Sequence, residues 1–180
     1  MRVTLQQATD EDLPIAGNLV PYYIYDMSEH LGWPCTADGR FDGCDKLPSY
    51  WREPGKHAFM LRAGQEIAGF ALVRGDHDEG DLDYSIGEFF VLRKFRRQGT
   101  GERIARELFD QFPGRWEVQQ LARNTPALAF WRKVIARYTR GSLNEQARQS
   151  PWGEMNVIRF SNDGASQPAT APDDRGAATD

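Results

Sequence analysis

The stretch Val91-Leu92-Arg93-Lys94-Phe95-Arg96-Arg97-Gln98-Gly99-Thr100-Gly101 connects a strand-like apolar run to a helix. The apolar residues after it recur at helical spacing: Ile104, Ala105, Leu108, Phe109 and Phe112. The first amides of a helix have no intrahelical partner and lie at the positive end of its dipole, so an anion is favoured there. Gly99 and Gly101 permit close backbone approach, and Arg96 and Arg97 add positive charge. The stretch therefore predicts a pyrophosphate-binding loop.

Two other phosphate-binding patterns fit this loop less well. A nucleotide-triphosphatase P-loop ends in Gly-Lys-Ser/Thr, but this chain has Gly101-Glu102-Arg103. A dinucleotide fingerprint needs three glycines in the first strand-to-helix turn, whereas two occur here, past the midpoint of the chain. An ordinary glycine-containing turn with solvated arginines stays open as the structural alternative.

The spacing Arg-x-x-Gly-x-Gly, carried by Arg96, Gly99 and Gly101, resembles the acyl-CoA-binding motif of the GNAT superfamily of N-acyltransferases. The segment Asn-Thr-Pro-Ala-Leu-Ala-Phe-Trp at 124–131 resembles the second motif of that superfamily. It follows a predicted strand at 115–121 and begins a predicted helix. Two motifs in this order favour a GNAT protein, and the chain resembles an uncharacterised bacterial group of predicted acetyltransferases.

The resemblance, which covers residues 2–160, implies the fold. That fold is a single α/β domain with a central mixed, mostly antiparallel sheet, helices on both faces and a splayed strand pair that holds acyl-CoA. The splayed strands would be the one ending at Leu92 and the one at 115–121. The GNAT-like domain is predicted over residues 1–160. Residues 161–180 contain few large apolar side chains and are predicted to form a disordered tail.

Local patterns predict the other elements. They are a strand at 3–8, a helix from a capping-box-like Thr9–Asp12 pair to residue 31, a polar and aromatic segment at 32–56, a hairpin at 57–73, a helix from 125 to about 138 and a closing strand at 151–160.

The resemblance also implies which residues bind acetyl-CoA, the expected co-substrate. Backbone groups of Phe90, Val91 and Arg93 would pair with the pantetheine arm, and the Asn124 side chain would touch it. The pyrophosphate would be held by the loop residues Arg96, Arg97, Gln98, Gly99, Thr100 and Gly101.

The implied chemistry is direct attack of an amine on a thioester, which needs a group to accept the proton of the amine. An alkylammonium has a pKa near ~10.4, so it is mostly protonated at neutral pH. Glu88 lies three residues before Val91 and is the predicted catalytic base, acting directly or through water. Two alternatives stay open: Glu88 contacts the substrate without accepting a proton, or it is an exposed strand residue.

The sequence departs from the family pattern at the residue expected to protonate the leaving thiolate. Many GNAT members have a tyrosine where this chain has Trp131, and an indole N–H has no usable acidity. A thiol with a pKa near ~8.5 leaves tolerably without full protonation. Tyr138, Tyr84 or water are the candidate replacements, and Trp131 is expected to pack with Phe130.

The acceptor amine is expected to bind at the first helix. Tyr22, Tyr25, Asp26 and Glu29 recur at helical spacing and would bind a cation through carboxylates and aromatic faces. The alternative is that the tyrosines pack and the carboxylates face water.

Two functions follow. The first is an N-acetyltransferase that moves an acetyl group from acetyl-CoA to a primary amine of a small molecule or peptide. The alternative is a non-catalytic acyl-CoA-binding sensor or partner module.

The net charge of −4 and the lack of a long apolar stretch predict no nucleic-acid partner, no membrane and a cytoplasmic location. Cys35 and Cys44 lack metal-site spacing, so free thiols and no metal are expected. The oligomeric expectation is a monomer or homodimer.

Overall fold

The computed structural model describes residues 2–41, 44–75 and 80–163. The strands are β1 (Thr4–Gln7), β2 (Lys56–Ala63), β3 (Glu66–Arg74), β4 (Tyr84–Val91), β5 (Arg115–Leu121), β6 (Asn144–Ser150) and β7 (Gly153–Ser161). The helices are α1 (Asp12–Leu31), α2 (Ser49–Arg52), α3 (Thr100–Gln111) and α4 (Thr125–Tyr138), with a 3₁₀ turn at Arg93–Phe95. No helix in these ranges is long and apolar enough to cross a membrane.

The seven strands form one mixed sheet in the order β1-β2-β3-β4-β5-β7-β6. Every neighbouring pair is antiparallel except β4 and β5, which are parallel. Those two strands pair only at their starts, Tyr84 with Trp116 and Ser85 with Glu117, and then separate. The predicted α/β fold with a mostly antiparallel sheet and a splayed strand pair is confirmed.

Helices cover both faces of the sheet. On one face α3 and α4 bury the larger core, which includes Phe59, Phe109 and Trp116. On the other face α1 covers a smaller core that contains Val20, Phe70, Leu72 and Phe90. Along β2, Phe59 and Leu61 lie in the larger core and Ala58 and Met60 in the smaller one, as the two-residue period of a strand requires.

The start and end of α1 follow local signals in the sequence. The Thr9 amide donates to Asp12 Oδ2 at 2.9 Å, so the expected capping-box-like contact is present. Asp12 also pairs with Arg62 of β2, which joins the helix to the sheet. Gly32 ends the helix in the left-handed region, with φ +68°, and its N–H donates to the Ser28 carbonyl at 2.8 Å.

The structure contains two elements that the sequence analysis did not name, and it continues past residue 160. The short helix α2 lies within the segment 32–56, and the polar strand β6 precedes the closing strand. β6 pairs only with β7, so as an edge strand it needs no alternating apolar pattern. Past residue 160, Asn162 is buried and accepts a 2.7 Å hydrogen bond from the Gly114 amide. The remainder of the predicted tail, 164–180, lies outside the described residues.

Candidate active site

The wedge between β4 and β5 is lined on one side by the C-terminal half of β4. The Leu92 amide donates to the Ala68 carbonyl at 2.8 Å, so in the antiparallel ladder alternate residues, including Phe90, direct their backbone groups to β3. Gly69 fits this geometry, since a Cβ there would strike the Phe90 carbonyl. Phe89 and Val91 therefore face the wedge. The register favours Phe89, which the sequence analysis did not name, over Phe90 as a source of backbone contacts.

The loop before α3 has the geometry of an anion site. Arg97 and Gly99 both adopt left-handed φ angles, +60° and +75°. Such a turn directs successive backbone amides toward one concave site that an anion can occupy. Arg103 is the first residue of this turn to donate a backbone bond, to Gly99 at 3.1 Å. The amides of residues 97–102 donate to no acceptor within the described ranges. Several amides at the positive end of α3 are thus available to a phosphate.

Arg93 and Arg96 bind Asp26 of α1, whereas Arg97 does not. The Arg96 guanidinium donates through Nε to the Val91 carbonyl and through Nη2 to Asp26 Oδ2, both at 2.6 Å. Arg93 donates to the other oxygen of Asp26 at 2.6 Å. Burial alone would raise the pKa of Asp26, but the bonds from Arg96 and Arg93 hold that pKa below its ordinary value. Arg97 is exposed and forms no ion pair with a described residue.

Gly101 packs against α4, and Asn124 caps the N-terminus of α4. A Cβ on Gly101 would lie 3.1 Å from the Phe130 ring, so a side chain there would require that ring to shift. Asn124 caps α4, where its Oδ1 accepts the Ala127 amide at 3.2 Å. Its Nδ2 lies 3.9 Å from Met27 Sδ of α1. Thr100 is buried at the start of α3.

Glu88 lies on the α1 face of β4, directly after a β-bulge. Register pairs Val73 with Ile86 and Leu72 with Glu88, which leaves Gly87 as the extra residue. A side chain on Gly87 would collide with the Tyr50 hydroxyl. The Tyr23 hydroxyl of α1 donates to Glu88 Oε2. No described residue bonds Oε1.

The surroundings of Glu88 shift its proton affinity toward neutrality. Burial raises the pKa of Glu88 from 4.5 to about 7, although the Tyr23 hydrogen bond acts in the opposite direction. Burial and the adjacent carboxylate raise the pKa of Tyr23 well above its ordinary value. Glu88 can therefore exchange a proton near pH 7 while Tyr23 keeps its own.

A cavity of about 230 Å³ opens between α1 and the sheet at Glu88. Apart from Glu88 and Tyr23, its lining consists of apolar side chains and one thiol: Val20, Ile24, Trp33, Cys44, Leu47, Phe70 and Leu72. Tyr23 is the contact that sequence analysis missed. The signal was present, because Val20, Tyr23, Ile24 and Met27 recur at the spacing of one buried helical face.

The four predicted acceptor-binding residues lie elsewhere on α1. Tyr22 and Tyr25 are 62% and 58% exposed, and neither lines the cavity. The Tyr25 ring packs on Phe41 at 5.6 Å between centroids. Glu29 is exposed, and Asp26 is bound by Arg93 and Arg96. The structure therefore does not bring this set together at the cavity.

The tyrosines proposed to replace the missing acid are both engaged at a distance from the cavity. The Tyr138 hydroxyl donates to Asp110 Oδ1 at 2.7 Å. Burial is the main cause that raises the pKa of Tyr138 to about 12. Tyr84 packs on Phe112 and Trp116 at the start of β4. Neither residue lines the cavity. Trp131 is buried and packs edge-on against Phe130 at 4.9 Å, as expected.

Neither described cysteine forms a disulfide. Cys35 is exposed and Cys44 lines the cavity. Within the described residues no cluster of three or more His, Cys, Asp or Glu side chains could bind a metal ion.

Comparison with known proteins agrees with this geometry. A model of the acetyltransferase (GNAT) family matches residues 23–135, so the chain belongs to that family. The predicted class, an acetyl-CoA-dependent N-acetyltransferase, is confirmed. None of the curated proteins matches the chain in sequence.

Solved structures share the fold at low identity. An acetyltransferase from Thermus thermophilus is 18% identical, with TM-score 0.62, over 89% of this chain and 97% of that one. The aminoglycoside acetyltransferase AAC(6')-Ib, solved with ribostamycin and coenzyme A, is 16% identical, with TM-score 0.60, over 89% and 94%. Spermidine N-acetyltransferase from Vibrio cholerae, solved with CoA and spermine, is 10% identical, with TM-score 0.65, over 91% and 98%.

Proposed function

We propose that this protein transfers the acetyl group of acetyl-CoA to a primary amine by direct attack, with Glu88 as the base. The observation that carries the proposal is the Glu88 carboxyl, which has a pKa of about 7 and lies on β4 where that strand has left β5. Structures of similar fold contain ribostamycin or spermine, both amines, which supports an amine acceptor here.

The residues present fit acetyl-CoA. The amides of residues 97–102, which donate to no described acceptor, and the exposed Arg97 suit a pyrophosphate. The backbone groups of Phe89 and the amide of Val91 face the wedge and suit an amide-bearing arm, whereas the Val91 carbonyl is bonded by Arg96. Arg96 would act indirectly, since its bonds to Val91 and Asp26 fix the loop against β4 and α1. When bound, acetyl-CoA would supply the thioester carbonyl that an amine attacks; as the C–N bond forms, the C–S bond would break and CoA would leave as a thiolate that takes a proton from water.

Glu88 would generate the nucleophile. An ammonium group in the cavity meets the unbonded Oε1 of Glu88 and loses a proton to it, which leaves a neutral amine with its lone pair available. A base whose pKa lies near the working pH is deprotonated often enough to accept that proton.

Tyr23 would hold the base in place. Its hydroxyl donates to Oε2, which fixes the carboxylate rotamer and leaves Oε1 toward the cavity. Because the pKa of Tyr23 is raised, the hydroxyl stays a donor throughout the range in which Glu88 titrates.

The test is the Glu88→Gln variant, which keeps the shape of the side chain and removes its basicity. Turnover, followed as thiol release from acetyl-CoA with a panel of amines, should fall by about 10² to 10⁴. Affinity for acetyl-CoA, measured by calorimetry, should stay unchanged. Glu154→Gln is the matched control, because Glu154 is an exposed strand residue on β7.

The outcomes separate the competing hypotheses. Full turnover in Glu88→Gln would overturn the assignment of the base. Tight acetyl-CoA binding by the wild type without thiol release for any amine would instead favour the non-catalytic acyl-CoA-binding module.

A further inference from the structure

The cavity beside Glu88 is built for an apolar group. Apart from Glu88 and Tyr23, its walls come from aliphatic and aromatic side chains of α1, β3 and the segment after α1, together with the Cys44 thiol. Val20, Phe70 and Leu72 are at most 2% exposed, so these walls belong to the ordered core of the α1 face. Such a surface favours a ligand through the removal of apolar area from water.

The cavity offers one charged group to a ligand. Glu88 is the only carboxylate among the described lining residues, and Tyr23 occupies one of its two oxygens. On α1, Asp26 is neutralised by two arginines, and Glu29 points to solvent outside the lining. A second ammonium group of a ligand would therefore lose water inside the cavity without gaining a partner, which is strongly unfavourable.

The volume limits the ligand further. The cavity measures about 230 Å³. An apolar protein cavity of about 150 Å³ is large enough to hold benzene. A phenyl or branched alkyl group on a short linker is thus of suitable size, whereas a multi-ring sugar is too large to enter.

We infer that the acceptor is a monoamine with a compact apolar or aromatic body, which fills the cavity while its amino group meets Glu88. This inference rests on the proposed function and narrows it. It separates this chain from the acetyltransferases of similar fold that were solved with ribostamycin or spermine.

A homologous series of amines tests the inference. For linear alkylamines from ethylamine to hexylamine, each added methylene that becomes buried should lower KM about fourfold until the cavity is full. 2-Phenylethylamine should exceed spermidine and kanamycin in kcat/KM by at least about tenfold. Binding of the same amines to the CoA-saturated protein, measured by calorimetry, should show the same trend in Kd, so the test does not depend on turnover.

A variant in the cavity wall provides the second test. Trp33 lines the cavity and lies in the segment after α1, and it is partly exposed, so its truncation spares the core. Trp33→Ala should weaken binding of 2-phenylethylamine by about tenfold and leave the affinity for acetyl-CoA unchanged. Trp152→Ala removes an exposed indole from the turn between β6 and β7 and should change neither.

The failure modes are distinct. Turnover with a flat alkylamine series, or with spermidine preferred over 2-phenylethylamine, overturns the inference and leaves the proposed function intact. Chain-length-dependent binding without acetylation of any amine supports the cavity assignment and overturns the proposed function.

Discussion

Replacing Tyr23 with phenylalanine should move the pH dependence of catalysis in a defined direction. The wild-type kcat/KM should fall as the pH drops through about 7, because Glu88 must be deprotonated to act as a base. The Tyr23 hydroxyl stabilises the charged carboxylate by donating to it. Its removal should therefore raise the pKa of Glu88 and shift the acid limb of the profile to higher pH.

The size of the shift follows from the strength of the lost bond. A hydrogen bond to a charged group contributes about 1.5–3 kcal/mol. One pH unit corresponds to about 1.36 kcal/mol, so the acid limb should move up by about 1–2 units. At pH well above the new limb, kcat/KM should recover to within a few-fold of wild type, since phenylalanine retains the packing of the ring against Phe70 and Phe90.

The assay is kcat/KM for one amine from pH 5.5 to 9.5, measured by thiol release. Tyr22→Phe removes the same hydroxyl from the adjacent, exposed residue and should leave the limb in place. Ionisation of the amine itself affects all three proteins equally, so only the difference between them is interpreted. An unshifted limb in Tyr23→Phe, or a limb at lower pH, refutes the role assigned to this hydrogen bond.

Four further predictions concern the same site. In urea titrations at pH 8, Glu88→Gln should be more stable than wild type by at most about 3 kcal/mol. Because the pKa of Glu88 is raised in the folded state, the wild type loses stability as the pH rises from 4.5 to 7, so the difference should vanish near pH 4.5. Gly99→Val should weaken acetyl-CoA binding, measured by calorimetry, by at least about tenfold, or 1.4 kcal/mol, because φ at Gly99 is +75°. Gly141→Val introduces a similar backbone strain beyond α4, at φ +90°, and should leave acetyl-CoA binding unchanged. Asp26→Asn should raise KM for acetyl-CoA about three- to tenfold in steady-state assays by loosening the loop arginines, and an unchanged KM would contradict that coupling. Gly87→Ala should lower kcat by displacing the Tyr50 ring from the bulge, whereas wild-type kcat would show that the bulge tolerates a side chain.

The left-handed loop before α3 and the fold could be predicted because their signals are local. Glycines with left-handed φ, an apolar run and a 3.6-residue period all lie within one stretch around Gly99, and the order of the two motifs determines the strand arrangement. β6 gave no such signal. Its residues are polar because it is an edge strand, so its place in the sheet depends on pairing with β7 rather than on its own pattern.

The α1 residues that line the cavity could not be predicted from spacing on α1 alone. Tyr22, Tyr25, Asp26 and Glu29 share a helical period, but a period does not say which stripe of a helix faces the sheet. The apolar stripe that contains Val20 and Ile24 is the one that packs on the sheet, and Tyr23 belongs to it. Arg93 and Arg96 both bind the Asp26 carboxylate, which leaves it less available to a substrate amine. These arginines lie 67 and 70 positions from Asp26 in the chain, so its spacing on α1 does not predict the contact.

The bulge in β4 directs Glu88 toward the cavity while the strand backbone faces the wedge. In a regular strand Ile86 and Glu88 would share a face, and Ile86 packs in the core beneath α3 and α4. The extra residue Gly87 reverses the alternation, so Glu88 shares the α1 face with Phe90 instead. Phe89 and Val91 then direct backbone groups toward the wedge. The Glu88 carboxyl points instead to the cavity on the α1 face of the sheet. Under the proposed function, an amine in the cavity and a thioester in the wedge would approach β4 from different sides and meet beside Glu88, as direct transfer requires.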